Sequence, residues 1–590
     1  MKKTALAAVL GVMLFAGGGY LASQQNSEDA KFVKWVETYF DEYWKFHPTA
    51  GTLAGFTKFS DKLEDWSESR IEKYLEQLDK FNAELVNKIA KDKLSPDVQV
   101  DFDLVRENLD MTILRLEKIA PQQTNPLIYN EVLYHTIRAL LVKNSSPLDA
   151  RLTAATARAK AIPDFVKQAK ENLKTPPKEY TDEAVRQLTP LLDLYKNEIF
   201  KLIEAAGADV KAKFGAEHAK AVAALEDYAK FVQGDLLARS TGNFRLGEAH
   251  QRIFQLTTGG SIMMNELGAR ATADTTNLRR EMFKVCFSYY KIMDPEFDIE
   301  NPPDPLNKQE QQLINKVVPH VLNKIKSNQP TKEEWLSKVK SNAEAIKAFL
   351  DQTKLLDVPA ELPAIEVASP FDRDFQLVDL VLPAAYDSGA PVTLRVNPYL
   401  DTLSGEAAAS FLDEYTNYLL PYWTIQNVYP GSYAPAVAAL KNTTFVRRLY
   451  PNIPLLKGWP LYAQDMFVYA GFNFYDLKMR LNELKLKLRA LVAFQVDANV
   501  HEGNMAKERA INHMMSYGLQ SAAEAERMWN FIVLHPGEAA QAYVGYQEIL
   551  DMEKDYKQAK GAAFSKKEFL TKLTSFGPFP LRVLKAKLLQ

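Results

Sequence analysis

Between Asp29 and Phe46 the apolar side chains of Phe32, Val33, Trp35, Val36, Tyr39, Phe40 and Tyr43 recur at helical spacing. That period gathers them on one stripe of an α-helix, and a stripe so rich in aromatic rings has to be covered by another element. The pattern ends at His47-Pro48, because proline disfavours the helical conformation in the residue before it. It returns in SESRIEKYLEQLDKFNAELVNKI, with Ser67 or Ser69 as N-cap, and in DVQVDFDLVRENLDMTILRLEKI, where Asp97 takes the capping position. Further helical runs begin at Ser146, Thr181 and Ala216, and others run through TNLRREMFKVCFSYYKIM, KQEQQLINKVVPHVLNKIK and TKEEWLSKVKSNAEAIKAFLDQ. Turn residues such as KTPPKEY separate them. Long antiparallel helices are the fold this chain can adopt.

The texture changes only around residues 375–397, where FQLVDLVLPAAYDSGAPVTLRVN places β-branched residues on both sides of a Gly-containing turn. One small β-sheet is expected there. Helices then resume from SGEAAASFLDEYTNYLL almost to the C-terminus. The fold class is mainly α, a large multi-helix scaffold with that one sheet.

At the N-terminus Lys2 and Lys3 precede an apolar run from Ala5 to Phe15, which reads as an export signal. Residues 1–23 are assigned as signal peptide or N-terminal anchor, and 24–590 as a single large helical domain. No later run is apolar for long enough to span a bilayer. The expected location is the periplasm or cell envelope, with no membrane contact beyond that segment. The single cysteine, Cys286, has no partner for an intrachain disulfide and sits among apolar residues, as a buried inert thiol does. With 72 Lys+Arg against 74 Asp+Glu, nothing in the charge balance favours a nucleic-acid partner. Oligomeric state is not readable from the sequence.

Six blocks stand out in the C-terminal part and the regions before it. These are EYWKFHPTAGTLAGF, GNFRLGEAHQRIF, KGWPLYAQ, VDANVHEGNMAKERAINHMMSYGLQSAAEAERMW, HPGEAAQAYVGYQEI and FPLRVL. In order and spacing they resemble a bacterial family, domain of unknown function 885, whose members look like zinc metallopeptidases of the thermolysin-like class. In that family the block before GW reads HExxPGH and the GW block reads EGWALYAE. The resemblance implies two histidines and a glutamate on zinc, with the Glu beside the first His as general base.

Here the corresponding stretch is QNVYPGS. The first His position is Gln426, the general base is Asn427, the second His is Ser432, the Glu ligand is Lys457 and the later family Glu is Gln464. Amide and hydroxyl oxygens are poor zinc ligands, an Asn cannot take a proton from water, and an ammonium repels a dication. No metal and no cofactor are therefore expected. The Lys457 ammonium is expected to fill the lost charge by donating to Gln426, Asn427 and Ser432. On an ideal helix, positions six apart are turned by about 600° and do not share a face, so Pro430-Gly431 must break the helix for 426 and 432 to meet.

Remaining candidates are weaker. Asp497 and His501 stand at i and i+4 on one helix face, and Tyr543 corresponds to a family tyrosine able to stabilise an oxyanion. Together with Tyr429 and Trp459 from the aromatic-rich segments they are groove candidates. His535 reads as a loop residue, and the other histidines form no pair with ligand spacing. The reading that follows is a non-catalytic envelope protein of peptidase-like scaffold whose groove binds a peptide or protein segment. The alternatives are an active metal-dependent hydrolase with a non-standard site, and a structural envelope subunit.

Overall fold

A computed structural model describes residues 27–589 apart from 144–145, 261, 294–307, 374, 388, 441–443, 474 and 576–578. The N-terminal segment read as an export signal lies outside the described residues.

The first apolar stripe forms the helix Ser27–Phe46, which buries Phe32, Trp35, Val36, Tyr39 and Phe40. Trp35 and Tyr39 stack at 5.4 Å, and Phe81 of the helix Glu68–Lys88 sets its edge against both rings. Each such ring contributes roughly 2–3 kcal/mol through burial alone. The helix stops at Phe46, and Pro48 opens the next one. In the helix Pro96–Leu114 the cap position belongs to Ser95 rather than Asp97, because Pro96, which has no N–H to satisfy, occupies the first helical position. Asp97 lies in the first turn, where its carboxylate favours the helix dipole and pairs with Lys587 at 3.0 Å.

The sheet has three strands, β1 (Ala364–Val367), β2 (Val378–Val381) and β3 (Thr393–Val396), in the order β1-β3-β2. β1 runs parallel to β3, with Ala364 opposite Thr393, and β2 runs antiparallel to it, with Val378 opposite Val396. The sheet is therefore larger than residues 375–397. β1 lacks the alternation that marked the other two, since three of its four residues are exposed. Both outer strands are edges.

Two further helices position the site. Ile453–Tyr469 lies against Glu538–Lys560, and at their crossing the backbones touch. A Cβ on Gly545 would stand 1.8 Å from the Pro454 carbonyl oxygen, and one on Gly458 2.2 Å from the Gly545 carbonyl carbon. Leu477–His501 is largely buried, and several of its charged residues are paired. Lys485 and Arg489 reach Glu414 at 2.9 and 3.1 Å, and Arg489 shares Glu524 with Arg527. Buried residues from Phe32 to Leu588 join one apolar cluster. Cys286 is part of it, and burial pushes its thiol up to about 12. No helix among the described residues is long and apolar enough to cross a membrane.

Candidate functional site

The stretch QNVYPGS breaks a helix, as the spacing requires. Leu420–Asn427 ends before a cis Tyr429-Pro430 bond, and Tyr433–Leu440 starts again after Ser432. Gly431 turns the corner with a positive φ of 37°, its N–H donating to the Ile425 carbonyl at 2.9 Å. A Cβ there would lie 2.6 Å from the Gln426 carbonyl oxygen, so the turn has room only for glycine.

Gln426, Asn427, Ser432 and Lys457 all line one cavity of about 650 Å³. Their hydrogen bonds differ from the expected set. Ser432 Oγ donates to the Leu456 carbonyl at 2.6 Å. That carbonyl is an orphan because Pro460, four residues on, has no N–H to give it. Asn427 Nδ2 donates to the Trp423 carbonyl of its own helix at 3.0 Å. Gln426 Nε2 donates to Gln464 Oε1, and Gln464 Nε2 donates to Glu483 Oε1 at 2.7 Å and to the Glu483 carbonyl at 3.1 Å. Gln464 is thus a buried residue behind the wall that orients Gln426. Burial pushes the Glu483 carboxyl up to about 7, against the pull of the Arg480 guanidinium in contact with it. The Lys457 ammonium is half-buried and makes no hydrogen bond or ion pair among the described residues. It does not bind Gln426, Asn427 or Ser432, whose polar atoms are engaged as above or left open to the cavity.

The rest of the wall comes from segments far apart in sequence, and its charged residues were not found by sequence reasoning. β2 and β3 contribute Asp379 and Arg395, which face each other at 3.9 Å. Asp372 accepts from Ser369 Oγ at 2.7 Å and lies 3.8 Å from His135, whose imidazole burial holds down at about 4. His535 follows the helix Ala522–Leu534 in the loop before Glu538, as the sequence suggests, and that loop lies on the cavity wall with the His535 ring 3.8 Å from Glu538. Arg115, at the end of the helix Pro96–Leu114, is exposed on the same wall and forms no ion pair among the described residues. No local motif marks these positions.

The five groove candidates do not line the cavity. Tyr429 is buried and its hydroxyl donates to the Pro359 carbonyl at 2.8 Å. Trp459 packs in the core beside Tyr462. Tyr543 is buried with its hydroxyl on Asp274 at 2.9 Å, beside Gln547 on the same carboxylate. Asp497 accepts from the backbone N–H groups of Gly537 and Ala540 at 3.1 and 3.2 Å, and so caps the helix Glu538–Lys560 from a neighbouring helix. His501 lies 3.8 Å from Asp497, bonds the Ile532 carbonyl at 3.1 Å and stacks on His250 at 5.0 Å. His250 in turn sits 3.3 Å from Asp497 and 2.7 Å from Glu502. Burial opposes its charge, yet these two carboxylates outweigh it and hold the His250 imidazole up at about 9. It is a buried imidazolium that joins two helices.

The fold is found in solved structures. A protein from Shewanella oneidensis, provisionally assigned as a lipoprotein of unknown function, matches with a TM-score of 0.78 and 24% identity, over 95% of this chain and 100% of its own. One from Colwellia psychrerythraea, provisionally assigned as a lipoprotein, matches with a TM-score of 0.70 and 15% identity, over 95% and 99%. Among curated proteins none matches. A family model described as bacterial protein of unknown function (DUF885) matches residues 48–588.

Proposed function

The chain belongs to the bacterial family of unknown function DUF885, and from that premise we propose that it is a non-catalytic envelope protein whose cavity binds a peptide or protein segment. The observation that carries this reading is the chemistry of the wall at positions 426, 427, 432 and 457. Those positions, at which the resemblance implies zinc ligands and a general base, present two amides, a hydroxyl and an ammonium around one cavity. Zinc requires imidazole, thiolate or carboxylate donors, and these residues do not fit it. The Ser432 hydroxyl is further committed to the carbonyl that Pro460 leaves unpaired. A cavity of this volume with an apolar and polar wall is of the size that takes a small ligand or peptide end.

An envelope location draws support from Lys2, Lys3 and the apolar run after them, and from the lipoprotein assignments of the two similar structures. The reading is tested on protein prepared in zinc-supplemented medium, by measuring bound metal and cleavage of a mixed peptide pool. We expect far less than one equivalent of zinc, and no cleavage with or without chelator. One equivalent of zinc together with chelator-sensitive cleavage would sink the reading and establish a hydrolase.

A further inference from the structure

We propose that the cavity receives the free C-terminal end of a peptide, with its α-carboxylate held by the Lys457 ammonium. This rests on the peptide-groove reading and names which part of the peptide the groove selects.

A half-buried ammonium without a counter-ion is unfavourable, because part of its hydration is lost and nothing replaces it. Lys457 is in that position, on the cavity wall and without a hydrogen bond or ion pair among the described residues. The carboxylates on the same wall have other partners, Asp379 facing Arg395, Asp372 taking the Ser369 hydroxyl and Glu538 lying 3.8 Å from His535. Arg115 adds a second cation without an ion pair to the same wall. On the same wall, Gln426 and Asn427 use their amide nitrogens within the protein, and their amide oxygens accept no hydrogen bond from the described residues. An unpaired cation and unpaired acceptors on one cavity wall match a chain end that offers both a carboxylate and backbone N–H groups.

The sheet explains why the anion belongs to a peptide rather than to a free acid. The Leu377 carbonyl accepts from Asn397 N–H, so in the antiparallel register Leu377, Asp379 and Val381 bond β3 while Val378 and Leu380 turn their backbone groups outward. Gln376 Nε2 takes the Val378 carbonyl at 2.7 Å, which leaves the backbone groups of Leu380 on the open edge. Val378, Leu380 and Leu382 all lie on the cavity wall. An extended peptide can pair with that edge and direct its terminus into the cavity.

The test uses a pool of N-terminally dansylated random pentapeptides with free C-termini, and the same pool C-terminally amidated, titrated with the full-length protein and read by fluorescence. We expect amidation to weaken binding tenfold or more. Lys457→Met should bind both pools as weakly as the wild type binds the amidated one, and Lys457→Arg should keep the preference, with circular dichroism melting to check that both variants fold. If the wild type binds the two pools alike, the carboxylate inference fails and the groove reading stands. If it binds neither pool, both fail. The wild-type comparison decides without any variant.

Discussion

Pro460 removes an N–H from the middle of a helix, and Ser432 supplies the missing donor from a different segment of the chain. Replacing Ser432 by Ala should therefore leave the Leu456 carbonyl unpaired in a partly buried place, a loss of about 1–2 kcal/mol that urea unfolding would register as a lower midpoint with an unchanged slope. A loss indistinguishable from zero would mean that water reaches that carbonyl freely. Both residues are visible in the sequence, in KGWPLYAQ and in PGSY, yet nothing in either segment links them. The expectation that Lys457 would serve Ser432 failed for this reason: the hydroxyl answers to a backbone defect that only the packed structure reveals. Gly431 was legible, since its neighbour Pro430 and the six-residue spacing together required a break. Asp97 was misplaced by two positions because Ser95 and Asp97 flank the same proline and either residue type can cap.

At the scale of elements, apolar periodicity was enough to locate most of the helices, because a stripe facing a partner leaves its period in the sequence. The helix Leu477–His501 was located with the others, but nothing in its sequence showed that Lys485 and Arg489 lie in a buried ion network. β1 was missed as an exposed edge of four residues. The contact between Ile453–Tyr469 and Glu538–Lys560 depends on two glycines that no periodicity predicts. Gly545→Ala should force the helices apart, since its Cβ would meet backbone and not a flexible side chain. We expect a destabilisation of about 3 kcal/mol or more in thermal or urea melts, with loss of whatever the cavity binds, because both helices contribute to its wall. A fully stable Gly545→Ala protein would show that the close contact is not maintained in solution.

Across the whole molecule, the buried His250 imidazolium makes stability depend on pH. Its pKa stands near 9, above the ordinary value of 6.5, so its contribution is complete below about pH 6.5 and is lost as pH rises towards 9. The shift corresponds to about 3 kcal/mol at most. Melting temperature measured across this range should fall for the wild type, and His250→Gln should remove that part of the slope while destabilising more at the lower pH. His47 and His135 work in the opposite direction. Burial holds both near 4, so their contribution is present above about 6.5 and is lost as pH falls towards 4. The fold class was legible at this scale, because helical periodicity runs through most of the chain. The cavity's charged wall was not, because Arg115, Asp372, Arg395 and Glu538 come together only through tertiary packing.

That wall is assembled from residues between Met111 and Ala542. During synthesis the Pro96–Leu114 helix emerges long before Glu538–Lys560, and contacts so distant along the chain form late. A polypeptide cut short ahead of Glu538 would lack the part of the wall formed by Glu538, Gln541 and Ala542, so the cavity is complete only once the C-terminal helices have been made and have docked.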